Sequence, residues 1–67
     1  MAKIQLNGRK IALTQEFSIY EIIKKYKIST NKVAVELNGK ILPKNKYKQR
    51  LVKDKDKIEI VQFIGGG

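Results

Sequence analysis

Neither cysteine nor histidine occurs in this chain of 67 residues. That is the tightest constraint it carries on folding. A domain this small buries only about 60% of the surface its unfolded chain exposes, so its core supplies modest stability. Small domains often add disulfides or a structural metal. Without Cys there is no disulfide and no iron–sulfur cluster. Without Cys or His the usual ligands of a structural zinc are missing too. The same absence removes nucleophilic catalysis of the Cys–His or Ser–His kind. One small domain must stand on its apolar core, and any chemistry must come from another group.

Apolar residues make up 42% of the chain and charged residues 31%, a globular composition. No apolar run approaches the ~20 residues needed to span a bilayer. Met1-Ala2-Lys3-Ile4-Gln5 leads directly into alternating sequence without a signal-peptide core. A cytoplasmic protein, monomeric and away from membranes, is the expectation. The net charge of +9 invites a nucleic-acid reading. However, 13 of the 15 basic residues are Lys and ten residues are Ile, the style of an AT-rich coding sequence. Lys is also the weaker choice for bidentate recognition of phosphates or bases. Tyr20, Tyr26 and Tyr47 form no base-stacking platform, so nucleic acid is not the expected partner.

Lys3-Ile4-Gln5-Leu6 and Lys10-Ile11-Ala12-Leu13-Thr14 alternate around Asn7-Gly8, a pair suited to a tight hairpin turn. Ile4, Leu6, Ile11 and Leu13 then share one face. Ser18-Ile19-Tyr20-Glu21 has the form of a capping box, with Phe17 and Ile22 spaced as a hydrophobic staple. Ile19, Ile22, Ile23 and Tyr26 repeat at helical spacing, predicting a helix from about Ile19 to Lys27 with Tyr26 packed inward. Ser29-Thr30-Asn31 breaks that pattern. Val33, Val35 and Leu37 alternate into a third strand, Asn38-Gly39 is a second hairpin signal, and Ile41-Leu42 returns before Pro43. Lys44 to Lys57 is polar, with Tyr47, Leu51 and Val52 as expected core anchors. Ile58 to Ile64 is nearly all apolar and predicts a central strand. The order β-β-α-β-β-β gives an α+β fold with one main helix packed on one face of a mixed sheet.

Gly65-Gly66-Gly67 follows this last strand. Glycine loses the most backbone entropy on ordering and packs nothing. A frayed chain end is one reading. The other is a tail that threads a channel too narrow for a Cβ. Extended, these three residues reach about 10 Å beyond the strand. The Gly67 carboxylate would then be the reactive group, open to adenylation by ATP and displacement of AMP by sulfur. The expected organisation is a domain over residues 1–64 and a flexible tail over 65–67.

The whole chain resembles the ThiS family of thiamine-biosynthesis sulfur carriers, within the ubiquitin-like β-grasp fold. The resemblance rests on the Lys3–Thr14 hairpin, the helix opening at Ser18, the run from Val35 through Asn38-Gly39 to Pro43, and the run from Leu51 to Gly67. It implies a carrier rather than a catalyst. A ThiF-like adenylyltransferase would use ATP to activate Gly67, with Gly65 and Gly66 giving access. A sulfur donor would convert Gly67 to a thiocarboxylate, and a ThiG-like thiazole synthase would take the sulfur. No bound cofactor is implied. Related carriers serving molybdopterin synthesis or tRNA thiolation remain alternatives, and a small basic RNA-binding module is a third. One departure is Asp54-Lys55-Asp56, where the family usually has glycine between two aspartates. A left-handed Lys55 would cost on the order of 1–2 kcal/mol.

If Ile58 and Ile60 face the helix, alternation puts Glu59, Val61 and Phe63 on the opposite face as a docking patch. Lys44 to Lys57 holds seven basic and two acidic residues. It reads as a solvated segment or as a surface steering an acidic partner. Asp54 and Asp56 read as turn residues rather than metal ligands.

Overall fold

Two Asn-Gly pairs turn the chain back on itself, and each does so with left-handed backbone at both residues. Asn7 and Gly8 have φ of 50° and 83°, and Asn38 and Gly39 have 54° and 86°. This is the geometry that lets a two-residue turn match the twist of its strands. The computed structural model describes residues 2–26 and 32–62. In it, Asn7-Gly8 joins β1 (Ala2–Leu6) to β2 (Arg9–Leu13), with Ile4 opposite Ile11. Asn38-Gly39 joins β3 (Val33–Leu37) to β4 (Lys40–Leu42). The last strand, β5 (Lys57–Gln62), lies between the hairpins, parallel to β1 and antiparallel to β3. The five-stranded order is β2-β1-β5-β3-β4. The mixed sheet with a central final strand is the architecture expected from sequence. The expectations on Lys27, Ser29-Thr30-Asn31, Phe63, Ile64 and Gly65 to Gly67 lie outside the described residues.

The helix α1 (Ile19–Lys25) is only seven residues long, too short to hold its shape in isolation. Packing and capping hold it. Ile19, Ile22 and Ile23 are fully buried, each burial contributing roughly 1.5–3 kcal/mol. The capping box forms as read: Glu21 N–H donates to Ser18 Oγ at 3.1 Å and Ser18 N–H donates to Glu21 Oε1 at 2.8 Å. The remaining donors of the first turn go to the later loop. Ile19 N–H donates to the Arg50 carbonyl at 2.9 Å and Tyr20 N–H to the Tyr47 carbonyl at 3.0 Å. Tyr26 corrects the sequence reading. The helix has ended by then, and Tyr26 is its C-cap, 41% exposed rather than packed inward.

Residues 43–56 wrap this helix end. A short 3-10 turn (Lys44–Lys46) leads to Tyr47, which is buried with Val52 in the core. Burial holds the Tyr47 phenol above its ordinary range, with a backbone hydrogen bond at Val35 partly opposing that shift. Leu51 is the second correction: it is 43% exposed. Its backbone bridges Ser18, and the extended chain there sends Val52 inward and Leu51 outward.

The amide side chains of both turns reach onto β5. Asn7 N–H donates to the Ile58 carbonyl at 2.9 Å, and Asn7 Oδ1 accepts Ile60 N–H at 2.7 Å. The β1–β5 pairing ends at Leu6 and Ile58, so Asn7 supplies the next rung. Across the strand, Asn38 Oδ1 accepts Lys57 N–H at 2.8 Å and Asn38 Nδ2 donates to Asp56 Oδ1 at 3.0 Å. Lys55, in the Asp54-Lys55-Asp56 turn, has φ of 70°. The left-handed conformation that sequence posed as a condition is present. The turn is held by Lys55 N–H on the Lys3 carbonyl at 2.7 Å and by Lys3 N–H on Asp54 Oδ1 at 2.7 Å.

Two outcomes follow. Asn7→Gly keeps the turn but removes the acceptor, so the Ile60 amide should exchange with solvent about tenfold faster, equivalent to about 1.4 kcal/mol. Residue-resolved hydrogen exchange reads this directly. Lys55→Gly relieves the left-handed Cβ while adding chain entropy, and should raise stability by about 0.5–1 kcal/mol in urea unfolding.

Candidate functional site

The site to be built is the C-terminal end of β5, from which the glycine tail departs, together with the sheet face beside it. Gln62 is paired with Val33 and Val61 with Ala34 on one side, while Asn7 holds Ile60 on the other. The strand is therefore fixed up to the last described residue by backbone pairing and one side-chain amide. Gln62 has the parity of the core residues but is exposed at the strand end. The tail residues Gly65, Gly66 and Gly67, and Phe63 before them, lie beyond residue 62.

Alternation along β5 sorts its side chains cleanly. Ile58 and Ile60 are buried toward α1, while Glu59 and Val61 are exposed on the opposite face. That places two of the three expected docking residues together. Val61 is 56% exposed, next to Ala34 on β3. Ile41 on β4, 67% exposed, extends the apolar surface through Glu36, its register partner. Sequence reading missed Ile41, although its place one residue past a tight turn already fixed its parity. Glu36 also stands directly opposite Glu59. Like charges in that position oppose pairing, and Glu59 is partly compensated by Lys57 Nζ at 3.8 Å. This outer face is apolar at β5, β3 and β4 with two carboxylates within it.

Asp54 and Asp56 have different roles. Among the described residues no group of His, Cys, Asp or Glu is arranged to hold a metal ion. Asp56 is buried and accepts from three donors: Lys53 N–H at 2.8 Å and Arg50 Nη2 at 3.1 Å in its own loop, and Asn38 Nδ2 at 3.0 Å from the β3–β4 turn. It is the structural junction of the loop, and its reading as a plain turn residue understated it. The DxD spacing gave no sign of burial, because Arg50 and Asn38 approach only in the folded chain. Among the described residues no helix is long and apolar enough to cross a membrane.

Comparison with known proteins matches this geometry. The family model of the ThiS family matches residues 3–67. A thiazole synthase from Paramagnetospirillum magneticum is 40% identical over 65 residues, covering 97% of this chain. The chain spans only 20% of that relative's length. The sulfur carrier protein ThiS of Bacillus subtilis is 35% identical over 65 residues, covering 96% of this chain and 98% of its own. The crystal structure of the thiamine biosynthesis protein ThiS from Geobacter metallireducens superposes with a TM-score of 0.81 at 29% identity. It covers 97% of this chain and 99% of that one. With a family match running from the first strand through the final glycine, on a ubiquitin-like β-grasp sheet, this chain belongs to the ThiS family.

Proposed function

We propose that this protein carries sulfur for thiazole formation in thiamine biosynthesis, with Gly67 as the point of attachment. The observation that carries the reading is the family match through residue 67, which includes the glycine tail beyond β5. A carboxylate oxygen of Gly67 attacks the α-phosphorus of ATP in the active site of an adenylyltransferase, and pyrophosphate leaves. Hydrosulfide released by a sulfur donor then attacks the acyl carbon, AMP leaves, and the thioacid proton is lost to water. One carboxylate oxygen departs with AMP and one sulfur replaces it. The thiocarboxylate next gives its sulfur to a thiazole synthase. In the P. magneticum thiazole synthase, a segment similar to this chain is part of the same polypeptide, which supports that choice of acceptor.

This chain supplies presentation rather than catalysis. Its domain, residues 1–64, ends in a strand pinned by Asn7 and β3, and residues 65–67 form a tail without Cβ atoms to enter a narrow channel. Glu59 and Val61, joined by Ile41, form the docking patch on the outer face, and Phe63 is the further residue expected of it from sequence. An exposed apolar patch of this kind is suited to a partner protein. ATP and the sulfur donor are substrates of the partner, and no cofactor is held here.

Incubated with a ThiF-like adenylyltransferase, ATP and a sulfur donor, the chain should gain the mass of one O-to-S exchange, localised to Gly67 by fragmentation. Deleting Gly67 should abolish the gain without changing the unfolding midpoint. A competent enzyme that leaves the mass unchanged would overturn the reading. Val61→Asp should weaken association with the adenylyltransferase about tenfold while moving stability by less than about 0.5 kcal/mol, since the side chain is mostly in solvent. Titration calorimetry and urea unfolding separate the two effects.

A further inference from the structure

The outer sheet face has a second half, over β1 and β2, that the docking patch does not use. A shallow groove of about 450 Å³ lies there, lined by Lys3 and Lys10 with Gln5 and Ala12 between them and Lys55 and Asp56 at its end. We propose that this groove receives an acidic segment of a partner protein. The proposal rests on the carrier reading only in supposing that the protein must dock, and binding is measurable without sulfur transfer.

Lys3, Lys10 and Lys55 are all exposed, and among the described residues none has its ammonium in an ion pair. The carboxylate in the lining does not neutralise them. Both oxygens of Asp56 are taken by Arg50, Lys53 N–H and Asn38. Lys55 adds an independent point. Its φ of 70° is a conformation that glycine adopts without strain, yet the position carries a long cation aimed from the rim of the groove. Strain retained at a surface turn is a reason to look for a role.

The lining also selects the kind of anion. The groove is larger than an inorganic anion needs, and by strand parity its outer-face floor is Ala12 and Gln5, between the two lysines. No aromatic side chain lines it, so a nucleobase has nothing to stack on. The Lys3 and Gln5 amides donate to Asp54 Oδ1 and the Asp56 carbonyl, and the Lys55 amide donates to the Lys3 carbonyl, so none of the three is left for an anion. Between Lys3 and Lys55 a small phosphate would meet flexible ammonium groups in water rather than a cradle of amides. A polypeptide segment with several carboxylates and aliphatic stems matches both the charges and the floor. The groove is at the N-terminal end of β5, opposite the end from which the tail leaves, so its occupant would not block Gly67.

The test is amide chemical-shift mapping of the full chain with a short poly-Glu peptide as probe, and with pyrophosphate in a separate titration. The peptide should shift the signals of Lys3, Lys10 and Lys55. Lys3→Glu with Lys10→Glu should weaken it about tenfold more than the same charge change at Lys24 and Lys25 on α1. Lys55→Gly should weaken binding although it stabilises the fold, which separates recognition from stability. Equal weakening by both double variants would mean net charge alone, and would overturn the proposal. So would absence of binding, or pyrophosphate binding the same residues as tightly as the peptide. An intact O-to-S exchange at Gly67 alongside any of these failures would leave the carrier reading standing.

Discussion

Everything that makes this chain useful depends on how β5 is held. A strand in the middle of a sheet normally takes its hydrogen bonds from both neighbours along its whole length. Here the β1–β5 register covers only Gln5 with Lys57 and Leu6 with Ile58. The side chain of Asn7 continues it to Ile60, and the side chain of Asn38 closes the opposite flank at Lys57. An aspartate would turn the chain equally well in the left-handed region. The amide at position 38 is required for a different reason: it accepts from Lys57 and donates to Asp56 at once, and a carboxylate cannot donate. The two turns therefore close their hairpins and also align the last strand between them.

Asp56 extends this logic into the loop. A buried carboxylate is costly unless its lone pairs are met, and breaking such a site by removing one partner is more damaging than never having built it. Its partners come from the loop itself, from Arg50 and from the β3–β4 turn. Residues 50–56 are thereby fixed against the sheet, and the carbonyls of Tyr47 and Arg50 are in turn fixed where α1 needs acceptors. A seven-residue helix, too short to hold alone, is thus stabilised from both directions: isoleucines beneath it and loop carbonyls at its N-terminus.

The sequence made the elements and their order legible because each carried a local signal. The Asn-Gly pairs, the capping box at Ser18 and the alternation in Val33 to Leu37 are all short-range patterns, and each appears where its pattern placed it. The outer position of Glu59 and Val61 followed from parity alone. What was not legible depended on groups distant in sequence. Tyr26 continues a helical stripe on paper, but the helix stops at Lys25 and the stripe loses its last member. Leu51 and Val52 are equally apolar, and only the bridge to Ser18 decides which one faces the core. Asp56 looked like any turn aspartate because Asn38 is eighteen residues away. The glycine tail, by contrast, was read from composition against folding logic: residues that add nothing to a core, placed directly after its most apolar strand.

The missing histidine and cysteine can then be understood together with the held strand. In the carrier reading proposed above, the chain brings only its Gly67 carboxylate to the reaction, and the catalytic groups belong to other proteins. That requires a fixed base, since fraying of β5 would raise the entropic cost of entering a channel. The strand is fixed by the side-chain amides of Asn7 and Asn38, the second of them held in turn by the buried Asp56. The outer face divides accordingly, with an apolar region toward the C-terminal end of β5 and a basic groove at the other end of the same strand. A partner that engages both ends of β5 sets the direction of the tail as well as its position.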